Sequence, residues 1–477
     1  MKHFLYSLIT ILTLAACATA PNSRVDEVAE QVPKEWSASV SEAPIDHAWI
    51  DRFNDKTLES LVDEAIEHNF DLQAGAARIE RAEAIARRTG ADLQPQVEAT
   101  LSGARNKQNF IGFPLGGDDG NVDSSNVASS LSNNFGTSVD VTWELDVWGR
   151  IRAGVSAAIA DIQVAQADLL AAQTSLAAQV AKSWFALIEA NEQANLAQAT
   201  VEAFQSTENS IRSRFELGQG DESATAAQLR LAMSDTAGAR ADLEARREDV
   251  ARTARQLEIL LGRYPDGAIK GRRTLPDVPP QPPAGLPSEL LMRRPDFMAA
   301  ERAFAAAGQR TEEARKAFYP RFALTGTIGT QSEDLSEILN SDFGVWSLAG
   351  NILQPIYQGG RLRAERDVRI AEEKEDLAQY QEIILNGFNE VETALAIEQY
   401  LVRREAALAD SADSAVEADE QAREEYANGI GDFLTVFATQ NRRLTASSLL
   451  ITARRLRLEN RINLYLALGG DFRPKKS

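Results

Sequence analysis

Residues 135–150 read FGTSVDVTWELDVWGR. Phe135, Thr137, Val139, Val141, Trp143, Leu145 and Val147 alternate with Gly136, Ser138, Asp140, Thr142, Glu144 and Asp146. A strand turns successive side chains to opposite faces, so this stretch carries one apolar row and one polar, acidic row. Phe322, Leu324 and Ile328 repeat the pattern against Ala323, Thr325 and Thr327, and Val97, Ala99 and Leu101 repeat it more weakly. Trp346, Leu348 and Ile352 begin a fourth strand, while residues 112–134, rich in Gly, Asp, Asn and Ser, read as a loop. Such alternation is the signature of a transmembrane β-barrel with a polar lumen, and a soluble sheet with one wet face produces it too. Four strands cannot close a barrel, since the smallest have about eight. A barrel built from this chain is therefore shared by two, three or four copies.

The flanking tracts read as helix. No proline occurs between Pro114 and Pro265, or between Pro355 and Pro474, and proline breaks helix interiors. Leu169, Leu176, Val180, Trp184 and Leu187 follow three/four spacing. From Arg150 to Leu217 a continuous helix would run about 100 Å at ~1.5 Å per residue. Then Gly218-Gln219-Gly220 breaks the pattern, and Asp221 is placed to cap the next helix. Pro276 to Pro287 holds six prolines in twelve residues and reads as a linker.

These tracts are two copies of one plan. Asp71 to Pro95 and Asp296 to Pro320 have equal spacing, as do Arg150 to Gly220 and Arg361 to Gly431. Trp148-Gly149-Arg150 matches Gly359-Gly360-Arg361, and the stretch from Phe215 to Asp221 matches that from Tyr426 to Asp432. The domains expected are a signal peptide at 1–16, a lipidated tail at 17–45, a first repeat at 46–262, a proline-rich linker at 263–288, a second repeat at 289–470, and a tail at 471–477. Each repeat reads helix, strand, strand, long helix, turn, helix.

The first residues form a secretory leader: Lys2, then an apolar run from Phe4 to Leu14, then small residues ending at Cys17. Small residues before the single cysteine of the chain resemble a bacterial lipobox, which implies an acyl (palmitate-class) anchor at Cys17. Ala18 after it points to the outer membrane rather than inner-membrane retention. No later uninterrupted apolar run reaches 18 residues, so no helix is expected to cross a membrane.

Composition excludes other classes. The 50 basic and 70 acidic side chains give a net charge of -20, contrary to the clustered cations that nucleic acid requires. One cysteine permits no internal disulfide or cysteine-based zinc site. His3, His47 and His68 lie outside any polar cluster, so no catalytic residue, metal site or cofactor other than the lipid is expected. Asp140, Glu144 and Asp146 alternate too regularly for a carboxylate catalytic pair and read as a lumen face.

The chain resembles the TolC-like outer-membrane efflux proteins, specifically the lipoprotein branch serving resistance-nodulation-division pumps. The resemblance rests on Trp49-x-x-x-Phe53-x-Asp55-x-x-Leu58, Asp71-Leu72, the stretch Trp143 to Arg150, Arg293-Arg294-Pro295-Asp296, Tyr319-Pro320, Pro355 to Arg361, and Tyr426-x-x-Gly429. It implies an α+β membrane protein, a homotrimer whose 12-stranded transmembrane β-barrel continues into a 12-helix periplasmic α-barrel. It implies no enzyme but an exit duct, loaded by a periplasmic adaptor and an inner-membrane transporter. A protein-secretion channel of the same fold, and a periplasmic adaptor or structural coiled-coil lipoprotein, are the alternatives. The turns at Gly218, Gly220 and Asp221, and at Gly429, Gly431 and Asp432, would form the adaptor-docking tip and gate. Tyr426 matches the family's tip tyrosine, and Leu434 would sit at an inward constriction. Ala438 stands where relatives often carry Asp, so gating is expected to rest on Leu434 and on pairs between Arg212 or Arg214 and Glu424 or Glu425.

Overall fold

The computed structural model describes residues 18–29, 32–37, 48–110, 128–216 and 225–472. After a short helix α1 (Asp26–Ala29) and a 3-10 turn at Trp49–Phe53 come α2 (Lys56–His68) and α3 (Phe70–Ala91). Strands β1 (Gln96–Phe110) and β2 (Ala128–Leu145) lead to α4 (Arg150–Glu216) and α5 (Ala226–Leu260). The second half repeats the order with α6 (Leu290–Arg293), α7 (Pro295–Lys316), β3 (Arg321–Ser332), β4 (Gly344–Leu353), α8 (Arg361–Ala427) and α9 (Phe433–Ala467). Three pairs of corresponding helices have equal lengths: α3 and α7 have 22 residues, α4 and α8 have 67, α5 and α9 have 35.

Contacts divide the chain into two compact units. The first holds the sheet, residues 81–162 and 302–377. Its strands pair antiparallel in the order β1-β2-β3-β4. Residues 128–134, expected as loop, extend β2, because Ala128 to Asn134 pair with Phe110 to Ala104 of β1. Local composition there is turn-like, and the ladder overrides it. The strand stops at Leu145 instead of reaching Val147. Each strand-to-helix turn uses a left-handed glycine immediately before the first helical arginine. Gly149 (φ 75°) precedes Arg150, and Gly360 (φ 86°) precedes Arg361. That backbone region strains residues with a Cβ, which explains the match read in the sequence.

The second unit, residues 24–80, 163–301 and 378–477, contains the main apolar core. The motif from Trp49 to Leu58 anchors it. The Trp49 ring stacks on Tyr465 at 5.7 Å, and Phe53 meets Phe185 at 5.2 Å. Buried Asp55 caps α2 through the amides of Thr57 and Leu58, accepts from Trp184 Nε1 at 2.9 Å, and pairs with Arg272. The Arg293–Asp296 motif is structural in the same way. Arg294 is buried and grips Asp296 with both arms at 3.0 and 2.7 Å while reaching Glu390 and the carbonyl of Ala467. The proline-rich segment is not a free tether, since Ile269, Leu275 and Val278 pack on the core.

One helix corrects the sequence reading. An 18-residue window within α4 is apolar enough, and the helix long enough, to cross a membrane by composition alone. An uninterrupted-run count misses it because single polar and acidic residues, among them Ser156, Asp161, Gln163 and Asp168, break the apolar stretches. Small apolar positions of this helix have a packing role: Ala157 and Ala160 are buried against Ala306, and further along Ala177, Ala178 and Ala181 are buried in the core.

Candidate functional site

Two regions carry the residues singled out in the sequence. The first is the sheet. Directly opposed residues of an antiparallel pair share a face, so the register sorts every side chain. Val97, Leu101, Val139, Ile328, Trp346 and Leu348 fall on one face, and all are exposed. Leu101, Trp346 and Leu348 are 75%, 76% and 75% exposed, where a soluble fold would bury them. Among the described residues β1 and β4 each pair on one side only, so the sheet has two open edges. Aromatics gather where strands give way to helices: Trp148 packs on Tyr319 at 5.4 Å and donates from Nε1 to the carbonyl of Pro320.

The other face is polar. Asp140 accepts hydrogen bonds from Ser138 and Thr327, each at 2.7 Å, and no cation pairs with it among the described contacts. Glu98 stands directly opposite it in register. The sequence reading passed over Glu98, because β1 alternates weakly; only the pairing brings the two carboxylates together. Glu144 and Asp146 are not free carboxylates as expected. Glu144 pairs with Arg150 at 3.0 Å. Asp146 lies beyond β2, accepts from the amides of Ile151 and Arg152 at 3.0 and 2.9 Å, and pairs with the Arg152 side chain. A carboxylate at the start of α4 satisfies amides that a helix leaves unpaired. Both charges are committed to holding the strand-to-helix turn.

The second region is the α8–α9 turn. Gly429 adopts φ 80°, and a Cβ on Gly431 would lie 2.9 Å from the amide nitrogen of Tyr426. Asp432 caps α9, accepting from the amide of Leu434 at 2.6 Å and the hydroxyl of Thr435 at 2.8 Å. The Thr435 hydroxyl first, then the Leu434 amide, hold its carboxyl below the usual aspartate range. Tyr426 is buried with Ile211, Ala232, Ala422, Phe433 and Val436, and burial raises its phenol. Leu434 is exposed, as is Ala438 one turn later on the same helix face.

The arginines differ from expectation. Arg212 pairs with Glu208 at 2.6 Å within its own helix. Arg214 lies 4.5 Å over the Tyr426 ring and donates to the carbonyls of Tyr426 and Ala427. Among the described contacts neither is paired with Glu424 or Glu425. The carbonyls of Tyr426 and Ala427 at the end of α8, the first of which also accepts from the Gly429 amide, hold Arg214, an interaction that charge counting does not anticipate. The α5 cap also differs: Thr225, four residues past Asp221, accepts from the amide of Gln228 in a capping box. Gly218, Gly220, Asp221 and Cys17 lie outside the described residues. Among the described residues no group of His, Cys, Asp and Glu is arranged to hold a metal ion.

Comparison with known proteins agrees with this geometry. A family model described as "Outer membrane efflux protein" matches residues 61–263 and 286–470. The chain is 29% identical over 470 residues to the cation efflux system protein CusC of Escherichia coli O6:H1, covering 97% of each chain. It is 28% identical to the pyoverdine export outer membrane protein OpmQ of Pseudomonas aeruginosa, covering 98% of this chain and 96% of that one. The solved structure of the outer-membrane channel OprN superposes with a TM-score of 0.83 at 25% identity, covering 96% of this chain and all of the other.

Proposed function

The chain belongs to the outer membrane efflux protein family, and from that premise we propose that three copies close one 12-stranded barrel and continue it as a 12-helix tunnel. It is an outer-membrane efflux protein; the stoichiometry, the lipid and the docking partners are the proposal. The observation that carries it is the four-stranded sheet with two open edges and an exposed apolar face. Open edges and lipid-facing irregular backbone are not tolerated in hydrocarbon, so the edges must meet other strands. Cyclic symmetry satisfies both edges of every copy with one repeated contact, β4 of one against β1 of the next.

In this reading the apolar face meets lipid, the polar face lines the lumen, and the α4–α5 and α8–α9 hairpins form the periplasmic wall. The tips dock an adaptor that links the duct to an inner-membrane transporter. Cys17 carries an acyl anchor secondary to the barrel. The chain conducts solutes passively and catalyses no reaction. Relatives of nearly equal identity bear the names of cation and pyoverdine exporters, which fits a duct that need not recognise its cargo.

Native mass spectrometry of the full-length protein in detergent tests the assembly. Three chains are expected, each carrying acyl mass at Cys17. A dimer or tetramer would replace the 12-strand barrel, and an unmodified N-terminus elsewhere would remove the lipid.

A further inference from the structure

The register distributes charge unevenly between the two faces of the sheet. The polar face carries Glu98, Asp140, Glu144 and Arg321. On the opposite, apolar face the only charged side chains among the described residues are Arg105 and Lys107. Both are exposed and form none of the described ion pairs. Their place along the strand is specific. On β2 the apolar row runs from Phe135 to Leu145, eleven positions. At ~3.3 Å each and a tilt of about 40°, that is a band roughly 25 Å tall, the height of the lipid-facing belt of a membrane barrel. Arg105, opposite Asn133, is the first apolar-face position beyond Gly103 and Phe135, which close that band. Lys107 follows two residues on, opposite Leu131. The alternate positions Ala104, Asn106 and Gln108 are uncharged. Charges serving only solubility have no reason to choose the side that meets lipid.

We propose that Arg105 and Lys107 form a binding site for the phosphate groups of a phosphorylated lipid, in the leaflet at the end of the barrel remote from the helices. The proposal rests on the barrel reading above. At ~6.6 Å separation along one strand face, the two cations reach neighbouring phosphate oxygens. Arginine supplies a planar fork for a phosphate and lysine a flexible point charge. The exposed Leu131 beside Lys107 offers apolar surface to the acyl chains, and the lysine stem lies along such a surface while its ammonium reaches the headgroup. Asn133 adds an uncharged amide donor beside Arg105.

The test uses the full-length channel in phosphatidylcholine nanodiscs doped with a bisphosphorylated disaccharide lipid, with lipid retention read by native mass spectrometry. Arg105→Gln with Lys107→Gln is expected to weaken retention roughly 30-fold. Arg105→Lys with Lys107→Arg should retain the lipid, and the dephosphorylated lipid should be held by the parent as weakly as by the double glutamine variant. Equal retention by parent and glutamine variant, or equal retention of the dephosphorylated lipid, overturns the site. Inorganic phosphate bound as tightly as the lipid would also overturn it, by assigning the cations to the free anion. A parent chain that never enters the bilayer would overturn the barrel reading instead, and its failure is seen before any doped lipid is added.

Discussion

Asp140, Glu144 and Asp146 are three carboxylates in one alternating row, yet they do three things. Asp140 accepts from two hydroxyls, Glu144 neutralises Arg150, and Asp146 caps a helix and binds Arg152. Asp432 shows what such a cap contributes. Its depressed carboxyl adds stability above the ordinary aspartate pKa, and that contribution is lost as pH falls through the lower folded value. Asp432→Ala should therefore lower amide protection at Leu434 and Thr435 by about 1 kcal/mol at neutral pH. The parent should lose this contribution as pH falls below the ordinary aspartate range, and the variant should show no such acid step. Hydrogen exchange followed against pH checks both. Gly387 is constrained by space: a Cβ there would lie 2.3 Å from the ring of Phe297. Gly387→Ala should destabilise the helical unit by about 1–3 kcal/mol, read as a lower thermal midpoint.

Between elements, α8 and α9 are joined by a buried charge network. Arg461 donates to Glu398 at 2.6 Å, Asn460 donates to the other carboxylate oxygen at 3.0 Å, and Arg457 approaches at 3.5 Å. Glu398 and Arg461 are both buried, so removing one partner strands the other. Glu398→Gln should destabilise by about 3–5 kcal/mol, whereas Glu398→Leu with Arg461→Met should cost far less. Urea unfolding monitored by helical circular dichroism separates the two; equal losses would mean that the pair contributes packing rather than charge. Helix identity was legible here from the absence of proline between Pro355 and Pro474. The partners were not, because Glu398 and Arg461 are 63 residues apart and neither sits in a motif.

For the whole channel, the face bearing Asp140 and Glu98 sets the expected ion preference. Carboxylate rings favour cations, so the parent should show a cation-selective reversal potential in a salt gradient across a planar bilayer. Asp140→Asn with Glu98→Gln should move that potential towards zero, and Glu144→Gln should move it less because Arg150 already compensates that charge. Anion selectivity in the parent would place these carboxylates away from the conducting path.

The sequence alone determined the two-residue alternation, the proline-free helical tracts, the duplicated spacings and the family. These are local or periodic signals, and backbone geometry converts them directly into strand, helix and repeat. Tertiary structure decided the rest. Pairing with β1 turned residues 128–134 from loop into strand and brought Glu98 to Asp140. Closure of the turn before α4 took Glu144 and Asp146 out of the free carboxylate row. Carbonyls at the end of α8 hold Arg214, which pairs with neither Glu424 nor Glu425 among the described contacts. The first and last outcomes depended on groups that meet only once segments distant in sequence have packed, and the second on the conformation of a turn whose partners lie five or six residues apart.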